Sequence, residues 1–252
     1  MFCVDLNSDV GESFGAYTLG DDEEILKHVT AVQVACGWHA GDPMVMDKVV
    51  RMAAERGIAV GAHPSFPDLM GFGRRKMMLS FAEAKNYVKY QIGALSAFTK
   101  TYGIPIHHMA PHGAMGNMVQ DDVQLARAIC EAVYEIDPEI IVYYCAGAVL
   151  GEEAEKIGLR TACEIFADRA YEDDLSLRSR KLPGAMITDE EESIKRCIRM
   201  VKEGKVTSYS GKDLDIKGDT LCVHGDGPKA IAFVKRIHEE FTREGITIQA
   251  FR

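Results

Sequence analysis

Two apolar patterns alternate along the chain. Short apolar runs recur at residues 2–7, 31–36, 58–62, 106–110, 140–145, 160–166 and 220–223. Between them lie stretches with helical character, at 21–29, 43–56, 80–102, 121–135, 149–156, 189–203 and 229–244. Runs of this kind, with little polar alternation, predict strands of a parallel sheet covered on both faces. Capping residues frame the helices. Asp42 precedes Pro43 at one start and Gly57 stops the same helix, the expected N-cap, N1 and C-cap chemistry. Ser80 with Glu83 three residues on reads as a capping box. Stretches 65–79 and 171–183 carry neither pattern and read as long loops, and residues 246–251 add a short terminal strand. About seven βα units without a linker predict one α/β domain over residues 1–252: a distorted (β/α)7 TIM-like barrel, with an open doubly wound sheet as the alternative.

The polar residues gather where the apolar runs end. The first run leads into Asp5-Leu-Asn-Ser-Asp-Val-Gly-Glu12, so Asp5, Asn7, Asp9 and Glu12 fall within eight residues. Later runs end in His39 and Asp42, in His63, in His112, in Asp168-Arg169, and in His224 with Asp226, while Glu164 lies within its run. In a parallel barrel these tips meet at one face. Asp5, Asn7 and Asp9 are two apart and face one side of an extended segment. Carboxylates and imidazoles so grouped suit proton transfer near neutral pH, or a divalent metal. Asp42 reads equally as a plain N-cap, and His28, His107 and His238 as packing or surface residues. Arg74-Arg75, inside the glycine-rich loop 65–79, predicts a lid with an arginine fork for an anionic ligand.

Composition narrows the class. The 252 residues are 47% hydrophobic and 27% charged, with a net charge of -9. That balance argues against a nucleic-acid surface. No apolar run approaches the roughly 20 residues of a membrane span, and the first residues lack a signal-peptide pattern. Seven cysteines without any CxxC pair predict buried, reduced thiols and a cytoplasmic protein. Neither a dinucleotide fingerprint nor a P-loop is present. A homo-oligomer is compatible with this composition.

The chain resembles the LamB/YcsF family. The resemblance is carried by Asp5–Glu12, by Ala35-Cys-Gly-Trp-His-Ala-Gly-Asp-Pro43, by Gly61-Ala-His-Pro-Ser-Phe-Pro-Asp68 and by Gly71-Phe-Gly-Arg-Arg75. It continues through Pro111-His-Gly-Ala114, Phe166-Ala-Asp-Arg-Ala-Tyr171 and Cys222-Val-His-Gly-Asp226. The stretches follow the family's order over nearly the whole chain. The resemblance implies a seven-stranded barrel of the type shared with polysaccharide deacetylases. It further implies ATP-dependent hydrolysis of 5-oxo-L-proline to L-glutamate, with ATP as co-substrate, Mg2+ accompanying it, and subunits B and C of a 5-oxoprolinase as partners. Ala110 and Gly116 stand where the family pattern has Lys and Tyr, and Leu175 where Gly is common.

Such a reaction needs a carboxylate base, a proton donor for the ring nitrogen and cations for phosphate. Asp5 or Asp9 is the expected base, and His39 and His63 the expected donors or oxyanion partners, assisted by His112. Expected binding residues are Asn7, Glu12, Asp42, Arg74, Arg75, Asn117, Glu164, Asp168, Arg169, Arg180, His224 and Asp226. The alternatives are a metal-dependent amide hydrolase or deacetylase, with Asp5, His39 and His63 as ligands, and a non-catalytic scaffold subunit.

Overall fold

The structure, a computed structural model, describes residues 2–223 and 230–252. In chain order the elements are β1 (Phe2–Val10), α1 (Asp22–Ile25), β2 (Ala31–Ala35), α2 (Pro43–Arg56), β3 (Ala59–His63), a 3-10 turn (Leu69–Gly71), α3 (Phe81–Thr101) and β4 (His108–Met109). They continue with α4 (Gly113–Met118), α5 (Val123–Ile136), β5 (Ile141–Cys145), α6 (Val149–Lys156) and β6 (Thr161–Phe166). The chain closes with α7 (Glu190–Glu203), β7 (Lys205–Thr207), β8 (Asp213–Asp215), β9 (Thr220–Cys222), α8 (Ala230–Arg243) and β10 (Ile246–Ile248).

Strands β1 to β6 pair in sequence order, β9 pairs with β6, and β1 pairs with β9. Every one of these pairings is parallel. They close a seven-stranded parallel barrel, and the open doubly wound sheet is set aside. β10 adds to the first residues of β1, from Phe2 opposite Ile246. Between helices and barrel lies one large apolar core that includes Val32, Val34, Ile92, Leu95, Ile129 and Leu221.

The predicted caps form. Asp42 accepts from the backbone of Met44 and Val45, and Gly57 ends α2 in the left-handed region. Ser80 and Glu83 make both bonds of the capping box. Four features differ from the sequence expectations. β1 runs three residues further, because Asn7 to Val10 find partners in Ala31 to Val34. Helix α4, directly after His112, and the antiparallel β7–β8 hairpin are additional. The helix expected over 21–29 contracts to Asp22–Ile25. Leu175, at the position where glycine is common, holds the left-handed backbone a glycine would take, with φ of 67°.

Candidate active site

The barrel's carboxyl-terminal mouth collects five ionisable side chains from four consecutive strands. Asp9 stands near the end of β1. Gly11, with φ of 70°, turns the chain there, its N–H held by Asp22, and Glu12 is carried back over the mouth. His39 follows β2, His63 is the last residue of β3, and His112 follows β4. His63 Nε2 lies 3.3 Å from Asp9 Oδ1 and 2.9 Å from His112 Nδ1. Glu12 Oε1 lies 3.3 Å from His39 Nε2 and 3.6 Å from His112 Nδ1. The rings of His39 and His112 stack with centroids 3.8 Å apart. The three histidines are buried. Asp9 and Glu12 keep 21% and 14% of their side-chain surface, so solvent reaches the cluster from the carboxylate side.

Hydrogen bonds to two carbonyls fix the ring tautomers. His63 Nδ1–H donates to the Ala110 carbonyl at 2.7 Å. His112 Nε2–H donates to the Phe72 carbonyl at 2.9 Å. The remaining nitrogens, His63 Nε2 and His112 Nδ1, therefore face each other, and two lone pairs at 2.9 Å repel unless a positive centre stands between them. A proton on His63 Nε2 supplies it. Burial pushes the His63 imidazolium down, but the Asp9 and Glu12 carboxylates and the Ala110 carbonyl outweigh burial and raise it to about 9. Burial, and then the His63 charge, push His112 down to about 3. Burial above all, with the neighbouring His112, His63 and Arg74 acting in the same direction, holds His39 well below the ordinary imidazole value. The mouth thus holds one imidazolium, two neutral imidazoles and two carboxylates.

The loop 65–79 is strapped across this cluster. Gln91 of α3 accepts from Ser65 N–H and donates to the Ser65 carbonyl, at 2.8 and 2.9 Å. Asp68 caps the 3-10 turn and is bound by the Arg75 guanidinium. Gly73 then passes so close that a Cβ would lie 2.8 Å from His39 Cβ and 2.9 Å from His112 Cδ2, so only glycine fits there. The predicted arginine fork is divided. Arg75 is committed to Asp68 and braces the loop, so it offers no free guanidinium to an anion. Arg74 lies over the Phe72 ring, 5.0 Å from its centroid, exposed at the mouth.

Other predicted site residues lie elsewhere. Asp5 is four residues before Asp9, about 13 Å down the strand at 3.3 Å per residue. There it accepts from Thr30 Oγ1, Tyr143 Oη and Thr220 Oγ1, at 2.6, 3.0 and 2.6 Å. The ligand set Asp5, His39 and His63 is therefore corrected: the structure puts Glu12 and His112 beside the two histidines instead. Asn7 and Glu164 belong to the layer between, joined through Gln33 Nε2. Asp42 spends both oxygens on backbone N–H groups of Gly15, Met44 and Val45, so it is a cap. Arg169 is buried and donates to the Arg178 carbonyl at 2.7 Å. Its neighbour Asp168 is partly buried, and Arg180 and Asn117 are exposed. His224 and Asp226 lie outside the described residues. Two contributors were not anticipated: Phe72, through its carbonyl, and Gln33, as the polar link inside the barrel. The glycines flanking Phe72 were the available signal for the first.

Donor atoms of Glu12, His39, His63 and His112 all lie within 4.8 Å of one another, a set that fits a metal ion as well as a proton. Among the described residues, no helix is long and apolar enough to cross a membrane.

Comparison with known proteins agrees with this fold. The sequence profile of the LamB/YcsF family matches residues 4–252. The chain is 58% identical over 250 residues to the A subunit of the 5-oxoprolinase of Campylobacter jejuni subsp. jejuni serotype O:6, covering 99% of this chain and 98% of the relative. It superposes with a TM-score of 0.93 on the lactam utilization protein of Thermus thermophilus, at 46% identity, covering 99% of this chain and all of the other. A putative cellobiose-phosphate cleavage protein of Enterococcus faecalis V583 shares the fold at a TM-score of 0.54 and 15% identity, covering 98% of this chain and 96% of the other.

Proposed function

The chain belongs to the LamB/YcsF family, and from that premise we propose that it is the ring-opening subunit of an enzyme that hydrolyses 5-oxoproline to glutamate. The observation that carries the reading is the Asp9–His63–His112 constellation, in which an imidazolium held by a carboxylate stands at the open mouth of the barrel. Names borne by similar proteins, one a component of 5-oxoprolinase and the other a lactam utilization protein, support the substrate class.

Hydrolysis of a lactam adds OH to the carbonyl carbon and H to the ring nitrogen. Amide resonance makes that carbon a poor electrophile and that nitrogen a poor leaving group. In our reading ATP, with Mg2+, relieves the first difficulty by phosphorylating the carbonyl oxygen. We assign that step to the partner subunits, B and C, because this chain carries no P-loop or dinucleotide fingerprint. Asp9 takes a proton from the attacking water, His63 Nε2–H delivers one to the departing ring nitrogen, and the Asp9 proton then recharges His63. Loss of the ring nitrogen leaves an acyl phosphate, and a second water hydrolyses it to glutamate and inorganic phosphate. His112, with its Nδ1 toward His63, holds the imidazolium in line. Arg74 attracts the anionic substrate to the mouth. The reaction takes place in the cytoplasm in this reading.

The test is glutamate formation from 5-oxoproline and ATP by the complex reconstituted with its partners. Asp9→Asn and His63→Ala should abolish glutamate. Near-normal turnover in either removes that residue's role, and ATP hydrolysis by this chain alone would overturn the assignment of the phosphorylation step.

A further inference from the structure

We propose that Glu12, His39, His63 and His112 form a binding site for one divalent transition-metal ion of the zinc class. Geometry carries the proposal, and an ion on His63 Nε2 takes the place of the proton that nitrogen carries when the site holds no ion. Four ligands on a tetrahedral zinc ion, at bonds of roughly 2.0–2.2 Å, stand about 3.4 Å apart. Here the donor pairs Glu12–His39, Glu12–His112 and His63–His112 are 3.3, 3.6 and 2.9 Å apart, and all four donors lie within 4.8 Å. The cluster therefore already has the size of a coordination shell.

The rings are also prepared in the way metal sites prepare them. A ligating histidine normally donates its other N–H to a carbonyl or carboxylate, which sets tautomer and orientation. His63 does so to the Ala110 carbonyl at 2.7 Å and His112 to the Phe72 carbonyl at 2.9 Å. Their inward nitrogens face each other and require a positive centre, a demand an ion meets. The third ring is locked by stacking on His112. Three imidazoles with one carboxylate select a borderline ion such as Zn2+, Co2+, Ni2+ or Fe2+ over Mg2+ or Ca2+, which prefer oxygen ligands. Asp9, 3.3 Å from His63 Nε2, stands beside this shell.

The proposal is tested on the untagged full-length chain, stripped with chelator and titrated with Co2+ and Zn2+. Visible d–d absorption of Co2+ with an end point of one equivalent is expected. Zn2+ at a hundredfold excess over its Kd should raise Tm by about 5–10 °C. Glu12→Ala, whose side chain reaches the surface, and His63→Ala should each weaken binding by at least about 100-fold, with far-UV circular dichroism confirming the fold. Binding below a tenth of an equivalent, or an affinity in both variants equal to that of the wild type, overturns the proposal. These readouts need neither partner subunits nor substrate, so a failure of the metal site is distinguishable from a failure of the ring-opening reading.

Discussion

The barrel contains two buried polar regions whose composition is similar and whose condition is opposite. In the lower one, Asp5 is bonded to Thr30, Tyr143 and Thr220, and Asn7 donates to Thr220 at 2.6 Å. Each hydroxyl proton there reaches an oxygen, and both oxygens of the buried Asp5 carboxyl are paired. At the mouth, paired carboxylates, stacked imidazoles and facing nitrogen lone pairs crowd into one space. That arrangement is electrostatically unsatisfied unless a proton, an ion or a substrate joins it. Buried polar residues alone therefore do not mark a site. A buried cluster whose own members repel one another does, because nothing in folding alone favours assembling it.

The sharpest break between the regions is His63→Ala, at the mouth. Its removal should lower turnover in the reconstituted enzyme by about 1,000-fold, within the usual range for a general acid. Tm, measured with chelator present, should move by less than about 5 °C, since the facing lone pairs disappear with the ring. If instead the loss of turnover came with a collapse of Tm, the mouth would be a structural network like the one below it.

The reverse signature is expected of Asp5→Ala. Three hydroxyls lose their acceptor, which costs roughly 2–4 kcal/mol and lowers Tm by about 5–15 °C in a chain of this length. Turnover per folded molecule should fall less than about tenfold, since Asp5 lies a layer below the chemistry. Burial raises the Asp5 carboxyl above its ordinary value, against the hydroxyls that favour the ionised form. A group raised in the folded state contributes stability that is fully present below its unfolded pKa, about 4, and that is lost as pH rises through the folded value. Asp5→Asn has no charge to suppress, so the wild type should lose stability relative to Asp5→Asn as pH rises from about 4. Parallel Tm-against-pH curves for the two would show that Asp5 carries no such strain.

Much of this contrast was legible in the sequence, and the missing part has a physical origin. The seven apolar runs and their polar ends yielded the barrel and placed all five mouth residues, Asp9, Glu12, His39, His63 and His112, among the expected site residues. Depth was harder to read. Asp5, Asn7 and Asp9 share a face by strand alternation, but which of them reaches the mouth depends on register, with Asp5 opposite Thr220 and Asp9 opposite Gln33. Register is a property of partner strands, which one stretch does not contain. Glu12 lies past the turn, and its place beside His39 follows from the positive φ of Gly11 and the Asp22 contact. Asp68 and Arg75 meet only because a 3-10 turn folds the loop back over seven residues. Sequence spacing alone made Arg75 look as available as Arg74. The β7–β8 hairpin escaped notice because three-residue strands carry too little periodicity to register.

The smallest expected effects separate the two arginines. Arg75→Ala removes an ion pair whose arginine side chain is 66% exposed while its Asp68 partner is buried, and Asp68 keeps its bonds from the backbone N–H groups of Gly71 and Arg75. Tm should fall slightly, by less than in Asp5→Ala, and KM for 5-oxoproline should stay within about twofold. Arg74→Ala leaves the loop's bracing intact but removes an exposed guanidinium at the mouth, over Phe72. Its expected signature is a rise in KM of about tenfold, the size of one charge-assisted hydrogen bond lost, with kcat and Tm nearly unchanged. Steady-state kinetics of the two variants in the reconstituted enzyme decide between them. A KM increase in Arg75→Ala equal to that in Arg74→Ala would mean that the Asp68 contact opens on substrate binding, and that the fork acts as one unit after all.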